Sequence, residues 1–213
     1  TDSKIKFDDN GVCDHCINFD QKIKPFWNPT QDRLDELMKM AEKIKKAGKN
    51  QEYDCILGLS GGADSSYLAY IAKEVMGLRP LAYVVDTGWN LNVAVENIEK
   101  IVKGLDLDMY TDVINWKEMS DFQLSMFKSQ ISSQDAPQDH AIFASLYNYA
   151  VKHHIKYILT GSNNSTEFIR PPVEWIYMND LRMYKDIHKK FGKRKMKTYP
   201  TCGILRYLSL IHI

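Results

Sequence analysis

The sequence has almost no net charge: 28 lysines and arginines stand against 27 acidic residues, leaving +1 over 213 residues. That balance removes the bulk electrostatic case for a nucleic-acid or anionic-membrane binder, and the basic stretches Lys43 to Lys49 and Lys189 to Lys197 read as solvated surface. No apolar run approaches the roughly 18 residues of a membrane span, and the polar N-terminus has no signal-peptide pattern, so a cytoplasmic chain without membrane insertion is expected. Cysteine is scarce as well. Cys13, Cys16, Cys55 and Cys202 are too few and too unevenly placed for a secreted disulfide framework, and Cys55, inside an apolar run, reads as a small buried hydrophobe. There is no internal repeat and no low-complexity linker. Two familiar nucleotide signatures are missing too: no glycine is followed by Lys-Ser/Thr at phosphate-loop spacing, and no G-x-G-x-x-G opens a helix.

What is present is a different glycine-rich turn. Cys55-Ile56-Leu57-Gly58-Leu59 has the length and character of a buried parallel strand, and Ser65 to Val75 has helical periodicity. Between them lies Ser60-Gly61-Gly62-Ala63-Asp64-Ser65-Ser66, a strand-to-helix junction where free backbone N–H groups meet the positive end of a helix dipole. Gly61 and Gly62 admit phosphate oxygens close to the backbone, and Ser60 and Ser65 add hydroxyl donors. Asp64 would repel those oxygens unless a cation lay between, which favours a Mg²⁺-nucleotide over a bare phosphate.

The rest of the chain is read around this loop. Residues 1–29 form an N-terminal segment with a turn leading into Cys13-Asp14-His15-Cys16. Two thiolates three positions apart can reach one ion, but zinc wants four ligands, and only Cys13 and Cys16 are evident. Cys202 is a distant candidate, and His15 lies between the pair in sequence and is expected to point away; structural zinc, a redox thiol pair and two ordinary cysteines all remain open. Residues 30–213 form the main domain. Thr30 to Lys46 is a helix by its stripe of Leu34, Leu37, Met38, Ala41 and Ile44, with Gly48 as its stop. Leu81 to Val85 is a second strand ending in Asp86-Thr87-Gly88-Trp89-Asn90, where Trp89 reads equally as a base-stacking ring or as packing. Val93 to Lys103, Met109 to Ile114, Trp116 to Gln130, the helix Ala141 to His153 and Tyr157 to Gly161 continue the alternation. This rhythm predicts an α/β fold, a doubly wound, mostly parallel sheet with helices on both faces. The polar Gln134 to His140, containing Gln138 and Asp139, reads either as a helix cap or as a ligand-facing stretch. Gly161 opens a second polar cluster in which Asn163, Asn164 and Glu167 are candidates for ribose, metal or substrate, or ordinary loop chemistry. Glu174 to Phe191 has the apolar pattern of a helical insertion.

Ser60-Gly61-Gly62-Ala63-Asp64-Ser65 resembles the loop of the PP-loop ATP pyrophosphatases, the adenine nucleotide α-hydrolase-like group, at every defining position. Together with Phe7 to Cys16, Val85 to Asn90, Gln134 to His140 and Thr160 to Glu167, it is similar to the N-acetyl sugar amidotransferases over almost the whole chain. That resemblance implies ATP, Mg²⁺ and structural Zn²⁺ as cofactors. It places ATP on Leu59, Ser60, Gly61, Gly62, Asp64, Ser65, Ser66, Asp86, Thr87, Gly88 and Gly161, with Ser60, Asp64 and Ser65 at the chemistry. It implies metal on Cys13, Cys16 and Asp64, and acceptor contacts from Gln138, Asp139, Asn163, Asn164 and Glu167. The implied reaction adenylates a sugar acetamido oxygen and displaces AMP with ammonia, giving acetamidino sugars for bacterial surface polysaccharide, such as LPS O-antigen, or flagellin glycans. The implied partners are an acetamido sugar nucleotide and, since no cysteine has a glutaminase setting, a separate glutaminase and an ammonia-channelling subunit.

Members of that family usually carry a further CxxC pair upstream and extend past residue 213. Thr1 opens without methionine and Leu205 to Ile213 stops within an apolar run, so a longer parent protein is expected. Two other readings stand beside this one: a tRNA-thiolation-type ligase built on the same loop, and a module that binds adenine nucleotide without turnover.

Overall fold

Four short apolar runs pair into one parallel sheet in the computed structural model, which describes residues 4–26, 30–131, 134–162 and 180–211. In chain order the elements are helix α1 (Asp14–Asn18), α2 (Gln31–Gly48), strand β1 (Cys55–Gly58), α3 (Ala63–Tyr70, running on through a π-helical turn Ile71–Val75) and β2 (Pro80–Asp86). They continue as α4 (Asn92–Gly104), β3 (Met109–Val113), α5 (Trp116–Ser129), α6 (Ala136–Lys152), β4 (Ile158–Leu159), α7 (Leu181–Phe191) and α8 (Ile204–Ile211).

The strand order is β3-β2-β1-β4. Ile56 stands opposite both Leu81 and Ile158, and Leu57 opposite Ala82 and Leu159. From β1 the chain first winds outward through β2 and β3, then returns to add β4 on the other side of β1. The direction reverses at β1/β4, and in an open α/β sheet ligands bind outside the carboxyl ends at that point.

The two faces follow from strand alternation. Leu57, Ala82 and Val84 pack with Ala69, Ile98 and Leu107 beneath α3 and α4, while Cys55 joins Ala41, Ile44 and Ala72 beneath α2. On the opposite face Ile56 and Tyr83 meet Leu146, Ala150 and Ile155, the α6 side. Each fully buried aliphatic side chain here contributes about 1.5–3 kcal/mol. Helices on both faces of a doubly wound sheet are therefore present, as the alternation predicts. At the amino ends, Asp54 is 4% exposed and held by Arg79 through a 2.6 Å ion pair and the Arg79 amide at 2.9 Å; the guanidinium also bonds the Gln51 and Gly48 carbonyls. A carboxylate buried to that degree needs such pairing, and the fork ties the end of α2 to the starts of β1 and β2.

Several sequence boundaries move. Helix α6 begins at Ala136 rather than Ala141, because Pro137 sits in its first turn, where a missing N–H costs nothing. Gly48 closes α2 from inside and Lys49 follows as its cap. Thr30 stands at the α2 N-cap without a side-chain cap bond. Of the predicted 174–191 helix, the described part is α7; residues 163–179 lie outside the described residues, and with them Asn163, Asn164 and Glu167. No described helix is long and apolar enough to cross a membrane.

A fourth cluster lies beyond β3, where Met119, Phe122 and Met126 of α5 pack against Ala141, Tyr184, Ile187 and Tyr199. Two carboxylates of α5 hold the segment after α7 over it. Glu118 accepts the Thr198 and Tyr199 amides, both at 2.9 Å, and Asp121 accepts those of Lys193 and Arg194 at 2.9 Å and lies 3.0 Å from His188 Nε2. Burial pushes both carboxyls up, but the amide bonds outweigh it and keep both below the ordinary carboxylate range. A depressed native value means that this stability is present above the unfolded carboxylate range and is lost as pH falls through the native values. Glu118→Gln should lower unfolding stability by about 2 kcal/mol at pH 7 and flatten its acid dependence, measured as denaturant midpoints between pH 7 and 3; an unchanged midpoint would refute the anchoring role.

Candidate nucleotide-binding site

The glycine-rich turn sits at the carboxyl end of β1 and runs directly into α3. Gly62 caps that helix in an extended conformation with no side-chain cap, so the first-turn amides face outward rather than being claimed by a cap. The hydroxyls are occupied in shaping the loop. Ser65 Oγ accepts the Ser60 amide at 3.2 Å, lies 3.0 Å from Ser60 Oγ, and donates to the Gly62 carbonyl at 3.3 Å; Ser66 Oγ donates to the same carbonyl at 2.5 Å. Gly61 has φ +77°, and a Cβ there would fall 2.3 Å from the Ala94 carbonyl oxygen, so α4 presses against the loop. Asn97 Nδ2 completes that contact on the Gly61 carbonyl at 3.1 Å.

From the other side comes the end of β4. A Cβ on Gly161 would lie 2.7 Å from the Ser65 amide nitrogen and 2.9 Å from its Cα, so only glycine lets β4 close on the first turn of α3. The space left between the ends of β1, β2 and β4 is a cleft of about 320 Å³. Its polar wall includes Ser60, Asp64, Ser65, Thr87, Gln138 and Gly161, and Asp64 is the single carboxylate lining it among the described residues.

Of the predicted ligand residues, Leu59, Ser60, Asp64, Ser65, Thr87, Gly161 and Gln138 line this one space. Thr87, 1% exposed, donates to Gln138 Oε1 at 3.2 Å, joining the end of β2 to the first turn of α6. Others stand apart. The Asp86 carboxylate accepts the Gly88 amide at 2.8 Å and Asn90 Nδ2 at 3.4 Å, so it builds its own turn, and Asn90 reaches the cleft in its place. Trp89 packs edge-on against Trp116 at 4.7 Å, outside the cleft lining. Asp139 also lies outside that lining; burial, reinforced by Asp135, holds its carboxyl above the usual range. Gly61, Gly62, Ser66 and Gly88 contribute loop backbone rather than cleft wall.

The sequence reading missed the apolar wall: Tyr83 from β2, and Ile142, Phe143 and Leu146 from α6. The available signal was the four-residue spacing of Gln138, Ile142 and Leu146, which puts the three on one helix face.

The amides of an uncapped helix start, a loop shaped by serine hydroxyls and one carboxylate are groups that could hold a polyphosphate with a divalent cation. Residues 33–170, well over half of the chain, match the family model for NAD synthase. The chain belongs to the NAD synthase family. This family is of the PP-loop ATP pyrophosphatase type, whose members are ATP-dependent ligases and amidotransferases. Over 160 residues the chain is 26% identical to an uncharacterized protein of Methanocaldococcus jannaschii, covering 74% of this chain and 53% of that protein, so it spans about half the length of that curated relative. Among solved structures it is similar to an NH3-dependent NAD synthetase from Campylobacter jejuni (21% identity, 74% of this chain and 76% of that one, TM-score 0.47). It is also similar to an NMN synthetase from Francisella tularensis (16%, 77% and 71%, TM-score 0.47). A predicted tRNA methyltransferase subunit from M. jannaschii matches at 13%, 74% and 74%, TM-score 0.39.

The cysteine pair is a separate locality. Phe7 bridges Cys13 across a tight turn in which Asp8 Oδ1 accepts the Asn10 and Val12 amides, and the two sulfurs lie 3.4 Å apart. That spacing is close to the edge, about 3.8 Å, of a tetrahedron with Zn–S bonds of about 2.3 Å. Only two ligands are supplied, however, since no group of three metal-binding side chains gathers among the described residues. Cys202 is buried elsewhere, its amide donating to His140 Nε2 at 3.3 Å, and so leaves the zinc set in which the sequence reading considered it.

Two outcomes follow. Gly161→Ala should weaken ATP binding at least about tenfold with a smaller loss of stability, because the added methyl meets the Ser65 amide inside the cradle; calorimetric titration that finds unchanged affinity would refute the close approach. In the pair, the Cys16 amide and side chain hold the Cys13 thiol below its ordinary range, while the bond from Cys13 raises that of Cys16. Iodoacetamide at neutral pH should therefore label Cys13 before Cys16 in a mass-spectrometric time course.

Proposed function

We propose that the chain is an ATP-dependent amidotransferase that adenylates the acetamido oxygen of a sugar and replaces that oxygen with ammonia, yielding an acetamidino sugar for bacterial surface polysaccharide or flagellin glycan. The observation that carries the adenylation is the cradle where the uncapped start of α3, Ser60, Ser65 and Asp64 face one cleft with Thr87 and Gln138. The acceptor is carried by the resemblance of Phe7 to Cys16, Gln134 to His140 and Thr160 to Glu167 to the N-acetyl sugar amidotransferases.

In this reading the amides of the Ser60 to Ser65 loop and the start of α3, held in shape by the Ser60 and Ser65 hydroxyls, grip the β and γ phosphates, and the adenosine lies along the end of β2 from Val85 to Asn90. Asp64 would hold Mg²⁺, which supplies charge neutralisation for the departing pyrophosphate. The acetamido oxygen attacks the α-phosphorus, the bond to the bridging oxygen breaks, and pyrophosphate leaves with that electron pair. Amide oxygen is a poor leaving group, and adenylation makes it a good one. Ammonia then adds to the imidate carbon, AMP departs with the former amide oxygen, and a proton is released to leave the amidine. Gln138 accepts from Thr87 through Oε1, which leaves its amide nitrogen as a donor toward the reacting oxygens. The protein supplies positioning and charge rather than a covalent intermediate.

Ammonia comes from outside the chain in this reading. Cys55 is buried with its thiol pushed up to about 12 by burial and Asp54, and Cys202 is buried with its thiol pushed up by burial, so neither offers an accessible thiolate for a glutaminase. A separate glutaminase and an ammonia-channelling subunit remain the proposed partners.

With ATP, Mg²⁺, an ammonium salt and nucleotide-linked acetamido sugars, mass spectrometry should find the acetamido oxygen replaced by NH, with AMP and pyrophosphate in equal amounts. Pyrophosphate release that requires tRNA would overturn the acceptor, and nucleotide binding with no release would overturn the enzyme reading. Asp64→Asn should cut pyrophosphate release about 100-fold or more while leaving the melting temperature within about 2 °C.

A further inference from the structure

Beside the nucleotide cleft, one strand further along the same edge of the sheet, lies a second cleft of about 780 Å³ at the carboxyl end of β3. It is lined by Asp112, Trp116, Lys117, Thr198 and Pro200, among others. The boundary between the two clefts is the aromatic corner. Trp89 and Trp116 each expose 47% of their surface, and Trp89 is followed directly by Asn90, which lines the first cleft. Trp116 closes over Gly88 and lines the second cleft. Indole rings left half in water at the junction of two clefts present an apolar face to whatever bridges them.

The cleft wall carries one lysine, Lys117, and one carboxylate, Asp112, and further cations stand on the segment that leads into its rim at Thr198. Asn115 already caps α5, accepting the Lys117 and Glu118 amides at 3.0 and 3.3 Å, so the attraction for an anion comes from side chains and not from the helix start. Lys117 is exposed on the wall, and Lys193, Arg194, Lys195 and Lys197 are exposed along the segment leading to Thr198. Glu118 and Asp121 fix the backbone of that segment, so these cations are presented from an ordered chain. Asp112, the opposing carboxylate on the wall, accepts the Tyr83 hydroxyl at 3.0 Å.

We propose that this second cleft binds the nucleoside diphosphate carrier of the acceptor, with its base on Trp116 and its phosphates toward Lys117 and the 193–197 cations, leaving the sugar to reach across Trp89 into the first cleft. The placement rests on the amidotransferase reading for the sugar, while the carrier site rests on the indole and Lys117 of the second cleft and the exposed cations of the segment that adjoins it. Strands stand about 4.8 Å apart, so the step from the end of β2 to that of β3 is short enough for one diphosphate-linked sugar to span. An aromatic face for the base and a lysine for the phosphates are the recognition elements that such a ligand needs. Two clefts also resolve a crowding problem, because one space of about 320 Å³ could not hold both ATP and a second nucleotide.

The test is equilibrium titration of the whole chain with UDP and GDP, read by tryptophan fluorescence and calorimetry in the presence of saturating ATP. At least one of the two should bind without displacing ATP, and Lys117→Glu should weaken it about tenfold or more with ATP affinity unchanged within about twofold. Trp116→Ala should reduce both the binding and the fluorescence change; Lys117→Glu, on an exposed position, guards against a folding defect in that variant. Competition of UDP with ATP, or binding indifferent to Lys117→Glu, would overturn the carrier site. So would an oligoribonucleotide that binds the same cations more tightly than either diphosphate. Amidine formed equally well by wild type and Lys117→Glu overturns the carrier site and leaves the amidotransferase reading intact. Lys117-dependent diphosphate binding without amidine supports the carrier site and overturns that reading.

Discussion

The contact on which the rest depends is the approach of Gly161 to the first turn of α3. It brings β4 against the loop that leaves β1, and a single methyl group there would meet the Ser65 amide at 2.7 Å. The reversal of strand order at β1/β4 opens the crevice, and this contact sets its width. On the far side of the loop, Ala94 and Asn97 of α4 fix Gly61. The loop is thus gripped by two elements that are distant in sequence, and its hydroxyls are committed to shape before any ligand arrives. Such preorganisation is what electrostatic stabilisation of a leaving pyrophosphate requires, since donors that must first be gathered lose much of their value.

What the sequence made legible was local. Ser60 to Ser65 could be recognised because strand, turn and helix start follow one another within a dozen residues, and backbone amides need no distant partner to point the right way. The alternation of strands and helices likewise depends on short-range periodicity. The start of α6 was misread for a local reason as well: Gln134 to His140 has the polarity of a loop, yet Pro137 suits a first helical turn and carries Gln138 into the wall of the cleft. Asp86 shows the opposite ambiguity. A carboxylate at the end of a strand can meet a ligand or close its own Asx-type turn, and the hydrogen bonds to Gly88 and Asn90 decide for the turn.

The apolar wall was legible only in part: spacing puts Ile142 and Leu146 on one helix face with Gln138, but they and Tyr83 have the composition of core and differ from it only in standing where the chain leaves a gap. The carboxylate clamp was hidden by distance. Glu118 and Asp121 meet amides 72 to 81 residues away, and no spacing within α5 announces that.

That clamp also changes what net charge means for this chain. A total of +1 argues against a polyanion partner only if the charges are mixed over the surface. Here two acidic side chains are turned inward and spent on backbone amides, while Lys193, Arg194, Lys195 and Lys197 remain exposed on the segment those amides belong to. Those four cations outnumber the two carboxylates beneath them, so this segment is locally positive although the whole chain is near neutral, and it adjoins a cleft with an indole on its wall. A near-neutral protein can thus attract a small, highly charged ligand at one place without becoming a general polyanion binder, because the field of a few fixed cations fades within about 8 Å at physiological salt.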